Sequence, residues 1–248
     1  QDLPSKGLKE GPYMFERNGI YYLTYPHVQD STERLEYAIA DNPLGPFKVT
    51  GVIMDQRLEC WTNHHSIIEY KDQWYLFYHY NDYSPEFDKN RSVRIDSLFF
   101  NEDGTIKPVK ATLRGVGIVD ATSEIQIDRY SEISNEGVWI DFINPDNKFE
   151  GWKTILEKEN SWIRFSRVKF TDAIKTISVK VQSEKGGNLQ LKLNDLKNSS
   201  IAQIEISPSA EWKVITVPVK HITSGINDII LQLKSKSNLE VDWIKFNE

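Results

Sequence analysis

No stretch of this chain shows a sustained helical period with caps, and short aromatic or β-branched runs alternate with turn signals almost throughout. That pattern restricts it to an all-β fold. Ile20-Tyr21-Tyr22-Leu23-Thr24-Tyr25 follows Asn18-Gly19, a strong hairpin turn. Ser66-Ile67-Ile68-Glu69-Tyr70 and Trp74-Tyr75-Leu76-Phe77-Tyr78-His79 are two runs split by Lys71-Asp72-Gln73, again at hairpin spacing. Asp41-Asn42-Pro43-Leu44-Gly45-Pro46 reads as a loop, and Asn101-Glu102-Asp103-Gly104 as a turn after Leu98-Phe99-Phe100.

Two of these hairpins form a faint repeat. Gly19–Tyr25 aligns with Asp72–Tyr78 at an offset of 53 residues, and roughly 50 residues is the length of one four-stranded propeller blade. Residues 1–118 then hold about two blades, where a closed propeller needs about four to eight. The chain is expected to start inside a domain. Its first residue is Gln1, with no charged-then-apolar leader, which reads as a processed end, an artificial start or a break in a longer gene.

After Gly115-Val116-Gly117 the stretch Ile118–Ser123 reads as a polar connection, and the pattern changes. Strands are expected at Trp139–Phe142, Trp162–Phe165, Ile174–Val181, Leu189–Leu193, Ile201–Ile206, Val214–Val219, Ile229–Leu233 and Leu239–Phe246. Leu189, Leu191 and Leu193 alternate with polar residues, as do Ile177, Val179 and Val181, which describes half-buried strands. Some eight to nine strands in about 125 residues fit a β-sandwich jelly roll. Composition shifts at the same place: ten of the 11 tyrosines and four of the 5 histidines precede residue 119, while most lysines follow it. The expected organisation is a partial β-propeller over 1–118 and a β-sandwich over 124–248.

Several functions are excluded early. A net charge of −6 gives no surplus for binding nucleic acid. A mean hydropathy of −0.50 goes with the absence of any apolar run of the roughly 18 residues a membrane span needs. The single cysteine, Cys60, permits neither a disulfide framework nor a Cys-rich zinc site. Tyrosine, tryptophan and histidine beside carboxylates suit neutral polyhydroxylated ligands, because aromatic faces stack on sugar C–H faces. The competing reading is an aromatic-rich β core.

Three clusters carry candidate chemistry. Lys9-Glu10-Gly11-Pro12-Tyr13 puts a carboxylate at a strand mouth, where partial desolvation by tyrosines would make Glu10 a proton donor; the alternative is a solvated loop carboxylate. In Trp61-Thr62-Asn63-His64-His65-Ser66 the adjacent histidines point to opposite sides and cannot both chelate one ion. One of them faces a metal-bound water or a substrate hydroxyl, or is a hydrogen-bonded core histidine. Arg91 and Arg94, in Asn90-Arg91-Ser92-Val93-Arg94-Ile95-Asp96, lie on opposite faces of a strand and either bind a carboxylate or sugar hydroxyl or form surface ion pairs.

At these motifs the sequence resembles family 43 of the glycoside hydrolases, five-bladed β-propeller enzymes acting on arabinoxylan and related plant polysaccharides. The matching text is Lys9–Tyr13, Arg17–Tyr25, Asn63–Ser66, Trp74–His79, Arg91-Ser92-Val93 and Asn101–Ile106. The resemblance implies that Glu10 is the general acid of an inverting mechanism. It also implies that His64 sits on the propeller axis near a bound calcium or its waters, and that Arg91 contacts substrate. In the family the general-base Asp and a second Asp that tunes the acid both precede the Glu-Gly-Pro motif. Asp2 is in no matching motif here, so both are expected in upstream propeller blades of the full-length protein.

The second half resembles a family 6 carbohydrate-binding module through Ile125–Tyr130, Ser161–Phe165 and Val241–Phe246. That likeness implies that Gln126, Asp128 and Asp242 hold a structural calcium, hard oxygen ligands being right for that ion. Trp212 matches the structural tryptophan of the family's usual pair, Ser209 stands where the stacking one is expected, and Glu240 where a ligand-binding Asn is usual. Trp152 or Trp139 would be other platforms. The expected protein is the C-terminal part of a secreted or periplasmic α-L-arabinofuranosidase or β-xylosidase whose partner is plant polysaccharide or oligosaccharide. The alternative is a non-catalytic carbohydrate-binding protein or a truncated inactive remnant. A phosphate-handling or metal-hydrolase propeller is disfavoured, since no Gly-rich loop or multi-His ligand set occurs.

Overall fold

The computed structural model describes residues 5–248, and the chain divides into two compact units, 1–111 and 112–248. The first unit carries β1 (Tyr13–Arg17), β2 (Ile20–Gln29), β3 (Thr32–Ala40), β4 (Lys48–Met54), β5 (His65–Tyr70), β6 (Gln73–Tyr80) and β7 (Ser92–Leu98). β1 to β4 form one antiparallel sheet in chain order and β5 to β7 a second.

The repeat seen in the sequence is a repeat of turn geometry. Arg17 pairs with Ile20 and Tyr70 with Gln73, so the two hairpins turn on Asn18-Gly19 and Lys71-Asp72. All four turn residues have positive φ, 54° and 79° in the first and 51° and 60° in the second. That is the type I′ conformation, whose twist matches the flanking strands. Gln73, expected in the turn, is instead the first residue of β6.

The second sheet has no counterpart of β4 among the described residues. The segment after β7 folds back on the first sheet: Phe100 bridges Ile106, the Tyr22 hydroxyl donates to the Gly104 carbonyl at 2.7 Å, and the Ile106 amide donates to the Tyr37 hydroxyl at 3.0 Å. The Val109 amide then donates to the Ile53 carbonyl at 2.7 Å. Tyr22, Leu35, Tyr37 and Ile53 from the first sheet join Ile67, Leu76, Tyr78 and Leu98 from the second in one buried cluster. Tyr22, Tyr37, Tyr78 and Tyr80 are therefore core residues, with Phe15 stacked on Tyr22 at 4.7 Å between ring centroids.

The second unit carries β8 (Val119–Asp120), β9 (Ile125–Gln126), β10 (Glu132–Ile133), β11 (Val138–Phe142), β12 (Trp152–Leu156), β13 (Trp162–Phe170), β14 (Thr176–Ser183), β15 (Gly187–Leu193), β16 (Ala202–Ile206), β17 (Ser209–Pro218), β18 (Gly225–Leu233) and β19 (Leu239–Asn247). One sheet runs β10-β13-β18-β15-β16 with β8 beside β13, the other β11-β12-β19-β14-β17 with β9 beside β19. The alternating residues Ile177, Val179 and Val181 of β14 face Leu189 and Leu191 of β15 in a shared core, closed by an edge-to-face contact of Phe170 and Phe246 at 4.8 Å. This is a β-sandwich.

The polar connection expected at residues 118–123 belongs to the sandwich. Val119 and Asp120 pair in parallel with Val168 and Lys169, and Ala121 is buried in the core. The polar residues form a local turn: the Asp120 carboxylate accepts from the Thr122 amide at 2.9 Å and hydroxyl at 2.7 Å. The division accordingly falls at 111/112, earlier than the boundary expected near 118. No helix among the described residues is long and apolar enough to cross a membrane.

Candidate functional site

Gly11 decides where Glu10 can lie. Its φ is +64°, and a Cβ there would come within 3.3 Å of both the His64 ring and the Pro26 ring. Glycine takes that conformation at no steric cost, and its missing Cβ lets the backbone approach so closely. The result is a contact of 3.3 Å between Glu10 Oε1 and His64 Nε2. The Glu10 side chain is 58% exposed, so the tyrosine wall expected to desolvate it is not formed by the described residues.

The two adjacent histidines point apart, as an extended backbone requires. His64, just ahead of β5, turns to Glu10; His65, the first residue of β5, turns to β2. His65 Nε2 lies 2.6 Å from Thr24 Oγ1, whose single proton goes to the Tyr13 carbonyl at 3.0 Å, so the imidazole is the donor. The His64 amide donates to His79 Nε2 at 3.0 Å, which leaves the His79 proton on Nδ1. Both neighbours are held neutral. His65 is pushed down to about 4 by burial and then by charge on His64, and His79 to about 4 by burial, then Arg91, then His64.

Glu33, which no sequence motif marked, completes the group. It is 1% exposed in the middle of the first unit. Its Oε2 accepts from the Thr62 hydroxyl and the Asn63 amide, each at 2.9 Å, while Oε1 is buried without a partner. Ligand atoms of Glu10, Glu33 and His64 all lie within 4.8 Å of one another. The two carboxylates offer the oxygens a hard divalent ion prefers, and the buried, unpartnered oxygen of Glu33 is the donor that most needs a cation.

Arg91 is exposed immediately before β7, and it acts on this group through its charge on His79. Arg94 is the buried member of the pair, at 6% side-chain exposure, and it meets Asp82. Asp82 also accepts both oxygens' worth of Arg57 contacts, at 2.7 and 2.8 Å. The ion pairing expected at the surface is therefore partly internal. A depression of about 200 Å³ beside these residues is lined by His64, Phe77, His79 and Val93 among others.

In the second unit the backbone brings together the three residues implied as calcium ligands. Gln126 pairs with Trp243, and the Ile127 amide donates to the Asp242 carbonyl at 3.3 Å, next to Asp128. Asp242 Oδ2, however, is 2.8 Å from Lys180 Nζ, so this carboxylate already faces a cation. Where β12 and β14 end and β19 begins, a cavity of about 450 Å³ is lined by Glu157, Gln182, Glu184, Asn238 and Glu240 with Ser183 and Lys185, with no aromatic residue among them. Glu240 there pairs with Lys153 at 2.9 Å. Of the other platforms, Trp152 packs against Phe142 at 4.1 Å between centroids, whereas Trp139 is 41% exposed.

Comparison with known proteins gives both halves relatives. Residues 3–106 match the family model of glycosyl hydrolases family 43, and residues 132–248 that of carbohydrate binding module family 6. A beta-xylosidase of Xylanibacter ruminicola is 44% identical over 103 residues, covering 41% of this chain and 31% of its own length. An arabinoxylan arabinofuranohydrolase of Paenibacillus polymyxa is 24% identical over 254 residues, covering 90% of this chain and 39% of its own. A crystal structure of a family 43 arabinoxylan arabinofuranohydrolase from Bacillus subtilis, in complex with cellotetraose, matches with a TM-score of 0.58 at 19% identity. That likeness, over 98% of this chain and 54% of that one, is one of fold. The chain spans between 31% and 39% of the length of the two curated relatives.

Proposed function

Residues 3–106 belong to glycosyl hydrolases family 43 and residues 132–248 to carbohydrate binding module family 6, and from that premise we propose that the complete protein hydrolyses O-glycosidic bonds of plant xylan or arabinoxylan, as a β-xylosidase or α-L-arabinofuranosidase. Glu10 is the general acid. The observation that carries this reading is the Glu10–His64 contact of 3.3 Å, set by Gly11, at the positions where the family motifs fall.

An inverting glycosidase needs a second carboxylate to activate water on the far side of the sugar, roughly 6.5–9.5 Å from the acid. Glu33 does not serve. It is 1% exposed, its Oε2 is committed to Thr62 and Asn63, and it stands closer to Glu10 than that spacing allows. The base is assigned to the remainder of the protein, because this chain spans only 31–39% of its relatives' length. Arg91 would contact substrate through its planar fork. A calcium ion beside His64 belongs to the same reading: Glu33 and His64 would hold it, and it would supply positive charge next to Glu10.

The sandwich is proposed to bind carbohydrate and keep the enzyme on its polymer. A polymeric substrate, too large to enter a cell, would call for a secreted or periplasmic enzyme. The test is Glu10→Gln in the full-length protein, assayed on aryl xylosides and arabinosides with poor leaving groups, where an acid is required. Loss of turnover by a factor of about 10²–10⁴ is expected; wild-type turnover of those substrates would overturn the assignment.

A further inference from the structure

One carboxylate of the sandwich has two claims on it, a metal by resemblance and an ammonium by contact. Between the pairs Val179–Ile244 and Val181–Val241, β14 contributes one residue, Lys180, and β19 two, Asp242 and Trp243. This is a β-bulge, and a bulge re-aims the side chains on the longer strand. Asp242 is accordingly buried directly after buried Val241, with its side chain only 7% exposed. A carboxylate so far from water needs a compensating charge.

We infer that Lys180 takes the place of calcium in this module and that the sandwich is held together without a divalent ion. The Lys180 ammonium is 2.8 Å from Asp242 Oδ2 and lies 5.6 Å from the centre of the Trp212 ring. The carboxylate on one side and the ring on the other both favour a cation at that point. Calcium requires some six to eight oxygens at about 2.3–2.6 Å, and its affinity follows the charge of the ligand set. Here Gln126 adds no charge and Lys180 offsets one of the two carboxylates. An ion bound to Asp242 would also sit against an ammonium in contact with the same carboxylate, a like-charge approach that water screens only in part, the Lys180 side chain being 32% exposed and that of Asp242 7%. The bulge thus presents a monovalent cation, built from the chain itself, where a divalent one would otherwise be needed.

The test is thermal unfolding of the whole chain, followed by circular dichroism, in excess EGTA and in millimolar calcium. The expected result is that the sandwich's own transition, identified by loss of amide protection over residues 239–247, has the same midpoint in both, whatever calcium does to the first unit. A saturable rise of that midpoint in calcium overturns the inference. Lys180→Met is expected to lower one midpoint by several degrees in EGTA, and Lys180→Arg, which keeps a cation at the site, to retain most of it. An unchanged midpoint for Lys180→Met in EGTA would show that the ammonium does no such work and would also overturn it. Should Lys180→Met fail to fold, the wild-type comparison of EGTA with calcium decides by itself.

Discussion

Glu33 in β3 binds Asn63, thirty residues further along the chain, through a 2.9 Å hydrogen bond from the Asn63 amide to Oε2, the same oxygen that accepts the Thr62 hydroxyl. One buried carboxylate thus fixes the backbone immediately ahead of His64. Glu33→Ala would leave the Asn63 N–H and the Thr62 hydroxyl buried without acceptors, at a cost of about 2–5 kcal/mol. Glu33→Gln keeps a carbonyl oxygen for both donors and is expected to lose less than half as much. Urea unfolding of the two variants checks this, and equal losses would mean that the charge, and not the acceptor, matters.

This carboxylate was not legible in the sequence, and the reason is topological. Thr32-Glu33-Arg34-Leu35-Glu36 is charged at three of five positions and carries no motif, but β3 lies between β2 and β4 and is buried along nearly its whole length. Glu36 lies against Arg34 and His27, and Glu33 against Thr62 and Asn63, so these side chains turn inward. What could be read was local or periodic. Asn18-Gly19 announces its own turn, whereas Lys71-Asp72 takes the same left-handed backbone without a glycine, and the spacing of the runs on either side is what marked it. The alternating strands of the sandwich were legible, but β8, β9 and β10, at two residues each, carry no period at all. Glu10 and His64 were found as motifs; their contact depends on Gly11, whose role needs the fold to be seen.

Acid should weaken the first unit in a defined window. His65 and His79 are each pushed down to about 4, chiefly by burial, while an unfolded imidazole titrates near about 6.5. Between those values the unfolded chain binds more protons than the folded one, so stability rises with pH across the window and is lost as pH falls through it. The full loss is about 3 kcal/mol per histidine. Urea midpoints measured between pH about 7 and about 4 should follow that slope. His79→Gln, whose amide oxygen still accepts from the His64 amide, should flatten it by roughly half. A midpoint independent of pH across the window would contradict the burial argument.

Gly11→Ala should separate Glu10 from His64. The left-handed backbone at φ +64° costs a β-carbon about 1–2 kcal/mol, and that carbon would press on the His64 and Pro26 rings from 3.3 Å. The expected outcome is a loss of about 1–2 kcal/mol in unfolding free energy. In the full-length enzyme, kcat/KM should fall by at least about tenfold, because a misplaced acid loses its alignment with the leaving oxygen. Asn, which tolerates this conformation, should lose less stability at the same position but just as much activity. Full activity in Gly11→Ala would show that the contact is dispensable.

Asp82 is the last residue on which the site's frame depends. It lies between β6 and β7, at the start of the segment that ends in Arg91, and joins Arg57 to Arg94 with its own side chain 15% exposed. Removing the carboxylate from between two guanidiniums, one of them 6% exposed, leaves buried positive charge with its shared counter-ion gone. The cost of breaking such a pair is about 3–5 kcal/mol, more than the pair itself contributes when intact. Asp82→Asn is therefore expected to lower the stability of the first unit by that amount and to loosen Arg91, seen as faster amide exchange over residues 81–91. Asp88→Asn, in the same segment but exposed, should stay within about 0.5 kcal/mol of wild type. If both substitutions had equal effects, the Arg57–Asp82–Arg94 contact would be incidental to how the segment is held.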